Sequence, residues 1–142
     1  MTITESEVVI DDSAWIDDSN EASLPAHEIE HYITTVIRPA YESIEKAINS
    51  GAIQSEALSD YIQLYDYENM QKIVFAYDEA TYSTFYVDGE LMFVLKIEPN
   101  GELVRHYYKD HELVRILYAD GTVQDTGLKS IEAELQGIYG AG

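Results

Sequence analysis

The chain contains no cysteine, and this absence excludes several kinds of site. Disulfide bonds, a nucleophilic thiol and a thiolate metal centre all require that residue. The absence does not identify a cellular compartment. The chemistry of the protein must therefore come from other side chains.

Basic residues are also scarce, since 8 Lys and Arg residues face 27 Asp and Glu residues, for a net charge of -19. Such a charge repels the phosphates of nucleic acids and of anionic membranes. We therefore expect no nucleic-acid partner, and we expect any protein partner to have a basic surface. The alternative is that the charge only keeps the protein in solution.

Long hydrophobic runs are missing too, because no segment approaches the roughly 20 apolar residues of a membrane span. The N-terminus lacks a basic region followed by an apolar run, so no signal peptide is expected in the sequence as written. An exported protein without its leader would look the same. With 142 residues and 46% hydrophobic residues, one domain with its own core is expected.

The first 22 residues contain acids but no Lys or Arg, and they are predicted to form a flexible acidic arm. Trp15 and Ile16 are apolar exceptions that could dock onto the folded body. The aspartate pairs in this arm lack the spacing of a calcium-binding loop. A single α+β domain is expected over residues 23–142.

A helix is predicted over residues 23–50, with Ser23 as N-cap, Pro25 in the first turn and Gly51 just beyond the end. Pro39 lies inside this helix and should kink or split it. The apolar residues that recur every three or four positions, and should face the core, are Ile29, Ile33, Val36, Ala40, Ile44 and Ala47.

The same helix contains HEIEH, which matches the H-E-x-x-H pattern of zinc proteases. At about 100° per residue, His27 and His31 lie opposite the apolar stripe. They share that polar arc with Arg38, Glu42, Glu45 and Asn49. Glu42 is about 16 Å from His31 along the axis, too far to share a metal ion.

We therefore interpret HEIEH as a solvated helix face, with Glu28 and Glu30 near the positive helix end. Adventitious zinc or nickel binding by His27 and His31 is compatible with this interpretation. A zinc-dependent hydrolase built on His27, Glu28 and His31 remains the enzymatic alternative. Otherwise no cofactor is expected, because phosphate-binding glycine loops are absent, and no catalytic triad is expected, because no G-x-S-x-G nucleophile elbow is present.

Residues 60–125 are predicted to form an antiparallel meander of about six strands, rich in Tyr, Val, Ile, Phe and Leu. Residues 52–60 are expected to be a linker or a short helix. In the third turn His111 takes the place of glycine, at some cost if a left-handed conformation is needed. The predicted turns are Asp88-Gly89, Asn100-Gly101, Asp110-His111 and Asp120-Gly121.

A short helix over residues 129–139, capped by Ser130, is expected to close the chain. Its inner face would consist of Ile131, Leu135 and Ile138. The predicted fold is thus α+β, with the N-terminal helix packed on the meander.

Nine of the twelve tyrosines lie between Tyr61 and Tyr118. Tyr107 and Tyr108 are adjacent in one strand, so they must point to opposite faces of the sheet. A speculative binding surface would consist of Tyr86, Tyr107, Tyr108 and Tyr118. The alternative is that these rings only stabilise the sheet through cross-strand pairs.

The pieces QKIVFAY, FYVDGELMFV and RHYYKDHELVRIL follow one another within residues 70–121. This segment resembles a loose group of bacterial proteins of unknown function that are often exported or lipid-anchored. Their pattern is a K-K-I-type strand, then Y-Y-F-x-D-G-K-L-x-F and R-Y-Y-x-x-G-K-L-I-R. The chain departs from it at His111, which replaces glycine, and by Glu for Lys before each Leu. The resemblance implies a helix-and-meander fold and an envelope location, and it supplies no catalytic residues.

From the sequence we therefore expect a non-enzymatic binding or protein-interaction module that acts outside the cytoplasm. A cytoplasmic location stays open. An acidic inhibitor or immunity protein for a basic toxin is the alternative within the binding class. A homodimer could form by pairing of a free sheet edge.

Overall fold

The computed structural model describes residues 15–16 and 24–139, and it has an α+β architecture built on one eight-stranded antiparallel sheet. The expectations for Ser23 and for the rest of the acidic arm lie outside the described residues. The strands are β1 (Glu56–Ser59), β2 (Ile62–Tyr67), β3 (Met70–Tyr77), β4 (Ala80–Val87), β5 (Glu90–Ile97), β6 (Leu103–Lys109), β7 (Glu112–Leu117) and β8 (Val123–Gln124).

Each strand pairs with its neighbour in sequence, from β1 to β8, so the predicted meander is confirmed. The strand count of about six was too low. The two extra strands are the edges, and β1 occupies the region predicted as a linker or short helix. Both are short, and β1 is fully exposed, so neither needs the apolar alternation by which strands are recognised.

All four predicted turns are present, and positive φ angles mark each of them. The turn after β6 has Asp110 at φ 54° and His111 at φ 67°, so a histidine does occupy a left-handed position. The turn after β3 contains no glycine either, with Asp78 at φ 54° and Glu79 at φ 70°. Two positive φ values in a two-residue link are typical of a type I′ hairpin, which suits the twist of the flanking strands.

The N-terminal helix is split, as predicted from Pro39. It consists of α1 (Ala26–Tyr32), a π-helical segment (Ile33–Ile37) and α2 (Arg38–Asn49), which contains Pro39 in its first turn. A π-helical turn holds more residues than an α-helical turn. Each residue after it is therefore rotated less far around the helix axis than it would be in an unbroken α-helix.

Because of this smaller rotation, the buried face of the helix differs from the predicted one. Val36 is 39% exposed, whereas its neighbour Ile37 is only 2% exposed and takes the expected place of Val36 in the core. Glu45, expected on the solvent side, turns toward the sheet and pairs with Lys72 of β3. Arg38 likewise leaves the polar arc of the histidines and borders a groove against the sheet.

The helix packs on one face of the sheet, which we call the helix side. The opposite face is covered by the C-terminal helix α3 (Glu132–Tyr139) together with Trp15 and Ile16. The middle strands are therefore buried on both faces. Among the described residues no helix combines the length and the apolar content that crossing a bilayer would require.

Docking of Trp15 and Ile16 is confirmed. The Trp15 ring is buried and stacks on His106 with ring centroids 3.7 Å apart. The Lys129 backbone N–H donates to the Trp15 carbonyl oxygen over 2.8 Å, and Ile16 forms a β-bridge with Leu128. Burial lowers the pKa of His106 to about 3, so the imidazole under the tryptophan is neutral.

The short C-terminal helix is also confirmed. It begins at Glu132, later than the predicted residue 129, and the Glu132 backbone N–H donates to Ser130 Oγ over 3.4 Å, so Ser130 contacts the start of the helix from two residues before it. Ile131 and Leu135 are fully buried and Ile138 is half-buried. The Ile131 backbone N–H donates to the Tyr108 hydroxyl over 3.1 Å, which ties the start of the helix to the sheet.

Replacing Glu79 with glycine should raise the free energy of unfolding by about 0.5–1 kcal/mol, because a left-handed conformation costs a residue with a Cβ but not glycine. Urea unfolding measures the change. Glu79→Ala removes the same charge and keeps the Cβ, so it should show no such gain. Equal behaviour of the two variants would contradict the assignment of backbone strain to this turn.

His111 and Glu132 should make stability depend on pH. A hydrogen bond from His111 Nδ1 to Glu132 at 2.8 Å, and the carboxylate charge, raise the pKa of His111 above its ordinary value. The folded state therefore binds this proton more tightly than the unfolded chain does. The resulting stability is fully present below about pH 6.5 and is lost as pH rises through the folded-state pKa.

His111→Asn is the matched variant, because asparagine tolerates the left-handed conformation but does not titrate. The difference in unfolding free energy between wild type and His111→Asn should be larger at acidic than at alkaline pH. The same comparison in a Glu132→Gln background should depend much less on pH, because the hydrogen bond and the largest charge effect are removed and only the smaller effects of Glu90 and Asp110 remain. An undiminished pH dependence in that background would contradict the assignment to Glu132.

Candidate anion-binding groove

The HEIEH residues take the predicted orientation. His27 and His31 are exposed, while Ile29 between them is buried. Glu30 reaches sideways and accepts a 2.7 Å hydrogen bond from Arg115 of β7. Within residues 15–16 and 24–139 no three His, Asp or Glu side chains are grouped so that they could hold a metal ion. In this part of the chain the zinc-hydrolase alternative has no third ligand.

The four tyrosines of the speculative surface do not form an exposed patch. Tyr107 and Tyr108 point to opposite faces as expected, but Tyr107 is 7% exposed and Tyr108 is 0% exposed. Tyr86 is buried, and Tyr118 is half-buried, with its hydroxyl donating to Gln124 over 2.7 Å. Trp15 and α3 cover Tyr86 and Tyr108 on one face of the sheet, and the N-terminal helix covers Tyr107 on the other. Of these four tyrosines, Tyr107 lines a cavity on the helix side.

That cavity is a groove of about 390 Å³ between the N-terminal helix and strands β5, β6 and β7. It combines apolar, aromatic and cationic side chains and contains no carboxylate. We call it the arginine groove, and it is lined by Ile33, Ile37, Arg38, Tyr41, Phe93, Arg105, Tyr107 and Leu117.

The aromatic part of the groove is held by ring contacts. Tyr41 meets Phe85 and Phe93 edge-on, with centroids 5.5 and 5.2 Å apart. Phe93 in turn contacts Tyr107 at 5.1 Å. Edge-to-face pairs favour fixed relative orientations, so this wall is preorganised. Burial is the main cause that raises the pKa of Tyr41 above its ordinary value, and the charge and hydrogen bond of Glu45 raise it further. The Tyr41 phenol therefore stays neutral.

Two irregularities in the strand ladder border the groove. The pairing register shifts between Phe85 and Tyr86 and again between Tyr107 and Tyr108. Each shift is a β-bulge, which bends the strand and redirects the side chains beside it. Phe93 and Tyr107, directly next to these bulges, are both lining residues.

Arg38 and Arg105 are the distinctive residues of the groove. Four other basic residues form ion pairs: Lys72 with Glu45, Lys96 with Glu98, Lys109 with Asp110, and Arg115 with Glu30 and Asp125. The guanidinium groups of Arg38 and Arg105 make no hydrogen bond or ion pair with any side chain in the described part of the chain. Lys46 and Lys129 also lack such a partner there, but they are exposed and lie outside the groove.

The two arginines act on the same tyrosine. Burial raises the pKa of Tyr107, and the positive charges of Arg105 and Arg38 oppose that rise. The groove is thus locally cationic, although the whole chain carries a net charge of -19. Exposed acids beyond about 8 Å are largely screened at physiological ionic strength, so the nearby guanidinium groups dominate the field inside the groove.

A second hollow of about 440 Å³ lies between the turns after β5 and β7 and has the opposite charge. Tyr118 lies on its wall with Glu98, Glu102 and Asp120. The Thr122 backbone N–H donates to Asp120 Oδ1 over 2.9 Å, so that carboxylate serves the turn itself. Glu98 is likewise engaged, in an ion pair with Lys96 of β5.

Sequence reasoning missed Arg38, Tyr41 and Arg105. Arg38 was placed on the solvent arc because a constant rotation of about 100° per residue was assumed up to Pro39, whereas the π-helical segment Ile33–Ile37 changes that rotation. Arg105 lies in a strand whose neighbours read as ordinary sheet. The signal that could have drawn attention to both is the scarcity of basic residues, since the chain has only 8 Lys and Arg residues and each could have been considered by itself.

Comparison of the chain with protein-family models, with curated proteins and with solved structures finds no match.

The difference between a paired and an unpaired arginine should appear in stability. Arg115→Gln breaks bonds to Glu30 and Asp125, of which Asp125 is largely shielded from solvent. We expect it to lower the free energy of unfolding by about 2 kcal/mol. Arg105→Gln should change it by no more than about 0.5 kcal/mol, since no protein partner is lost. Urea unfolding of both variants checks this, and a large loss for Arg105→Gln would mean that Arg105 has a structural role.

Proposed function

We propose that this protein is a non-enzymatic binding module that holds a small anionic molecule in the arginine groove. The observation that carries the proposal is that two guanidinium groups remain without acidic partners on one cavity, within the described part of a chain that has 27 acids. A ligand anion would supply the missing counter-charge.

The groove favours a ligand with an acidic head and an apolar or aromatic body. A guanidinium group presents its N–H donors in a planar fork that matches the oxygens of a carboxylate or a phosphate. Ile33, Ile37 and Phe93 provide an apolar wall for the body. The volume of about 390 Å³ falls at the lower end of the range for small-molecule sites, so the ligand is small.

The lining residues support binding rather than catalysis. They include neither a carboxylate nor an imidazole, which are the usual general bases. Burial raises the pKa of Tyr41 and of Tyr107, which keeps both phenols protonated at neutral pH.

A second candidate function follows from the acidity of the surface. Exposed acids occupy the hairpin tips at both ends of the sheet, including Glu68, Asp88 and Asp110 at one end and Asp78 and Glu79 at the other. This charge would speed association with a protein that has a basic surface, such as a toxin. The measurement is salt-dependent binding to a basic protein encoded next to this chain's gene.

Dimerisation through a sheet edge is the less favoured partner hypothesis. Strand β1 has four residues and a register irregularity, and β8 has two residues. Short and irregular edges are devices by which proteins avoid edge pairing. Export remains a prediction from the resemblance, and an encoded leader ahead of Met1 would support it.

Three probes with one ring system test the arginine groove: 1-naphthoate, 1-naphthyl phosphate and the neutral 1-naphthalenemethanol. Isothermal titration of the full chain, with amide NMR shifts to locate binding, should show tighter binding of at least one anion than of the alcohol. The double variant Arg38→Gln, Arg105→Gln should weaken the anion by about tenfold or more, because charge-assisted hydrogen bonds are lost. The affinity for the alcohol should change little.

The matched control is Lys46→Gln, Lys129→Gln, which removes the same number of charges from exposed positions outside the groove. It should leave anion affinity nearly unchanged. The proposal is wrong if no anion binds saturably, if the alcohol binds as tightly as the anions, or if the lysine pair matters as much as the arginine pair. The ranking of carboxylate against phosphate identifies the preferred head group.

A further inference from the structure

We propose that Pro39 is a positioning residue for the arginine groove, because it maintains the π-helical segment that turns Arg38 toward the sheet. Its effect on ligand affinity rests on the proposed function. Its effect on helix register does not, and the two can be measured separately.

The position of Arg38 around the helix axis differs from the position that a straight α-helix would give it. In an unbroken α-helix Arg38 lies on the same arc as His27 and His31, opposite the buried stripe. In the structure both histidines are exposed on that arc, whereas Arg38, which is also exposed to solvent, lines the groove with Ile33 and Ile37. The irregularity that separates the two parts of the helix is the segment Ile33–Ile37. The extra residue in that turn therefore accounts for the change in direction.

The proline explains why the irregularity occurs at this place. A proline within an α-helix has no N–H to donate, and its ring collides with the carbonyl four residues earlier, here that of Thr35. In the wider turn the Arg38 backbone N–H donates instead to the Ile33 carbonyl, five residues back. The hydroxyls of Thr34 and Thr35 both donate to the His31 carbonyl, at 3.2 and 2.7 Å, and support the turn. π-helical turns recur at functional sites.

The sequence also supports the other register. Val36 and Ile37 are adjacent β-branched apolar residues, so a straight helix can bury Val36 where the π-helical segment buries Ile37. The straight helix keeps Ile29, Ile33 and Ile44 on the inner stripe. Removing the proline should therefore restore the α-helical register and turn Arg38 away from the groove, without loss of the helix.

The absence of cysteine makes a direct test available. Single variants Val36→Cys and Ile37→Cys are made with Pro39 retained and with Pro39→Ala, and the thiols are labelled with a maleimide in the folded protein. With Pro39, the thiol at position 36 should react fast and the thiol at position 37 slowly, following the exposure of Val36 and Ile37. In the Pro39→Ala background the order should reverse. An unchanged order would overturn the proposal.

A second readout covers the case in which a cysteine variant does not fold. In the Pro39→Ala protein without cysteine, the backbone amide gained at position 39 should be protected from hydrogen exchange by a bond to the Thr35 carbonyl, and the Arg38 amide should change partner. Rapid exchange of the new amide, together with unchanged Arg38 shifts, would also overturn the proposal. Pro25→Ala is the control, since Pro25 precedes the same helix at its N-cap and should leave the register unchanged.

Ligand affinity then separates this inference from the proposed function. If a naphthyl anion binds the wild type through its arginines, Pro39→Ala should weaken it nearly as much as Arg38→Gln does, and the two changes together should add little. If the register changes and anion affinity does not, Pro39 controls the helix but not binding, and the positioning role is wrong. If no anion binds at all, the proposed function fails while the thiol result still decides the register.

Discussion

Burial of the middle strands on both faces is the constraint on which the rest of this structure depends. A sheet with one open face could have used its tyrosines as a contact surface. Here the N-terminal helix covers one face, and α3 with Trp15 covers the other, so Tyr86, Tyr107 and Tyr108 become core residues. What remains open lies at the borders of the covering elements, and the arginine groove is such a border.

The arginine groove matters because of how charge is distributed elsewhere. Most ionic contacts in the described chain join a basic residue to one of its many acidic neighbours, as in the pairing of Arg115 with Glu30 and Asp125. These contacts fasten the N-terminal helix and the loop after β8 to β7. Two arginines that face a hollow without such partners in the described residues retain their full capacity for an external anion. The acidic surface then favours basic macromolecular partners, while the groove favours a small acid, and the two can operate side by side.

Much of the fold could be predicted from the sequence, and the failures have physical causes. The four predicted turns are all present, including the one in which His111 is left-handed. They could be predicted because the required backbone angles restrict the residue type locally. Trp15 stood out as an apolar residue in an acidic segment and does dock. Strands β1 and β8 were missed because short exposed edges carry no alternating pattern. The arginine groove could not be predicted, because it joins residues distant in sequence and depends on one irregular helical turn whose width no periodicity analysis assumes.

The stack of Trp15 on His106 gives the molecule an internal optical reporter. Trp15 is the only tryptophan in the chain, and its ring is buried against a neutral imidazole on the face opposite the groove. Its fluorescence therefore records whether the strap formed by Trp15 and Ile16 is attached, and it responds to that attachment separately from events at the helix side. Detachment of the strap would expose the indole to water and shift its emission to longer wavelength while the sheet and its far-ultraviolet signal persist, so the docking of this strap can be followed without any label.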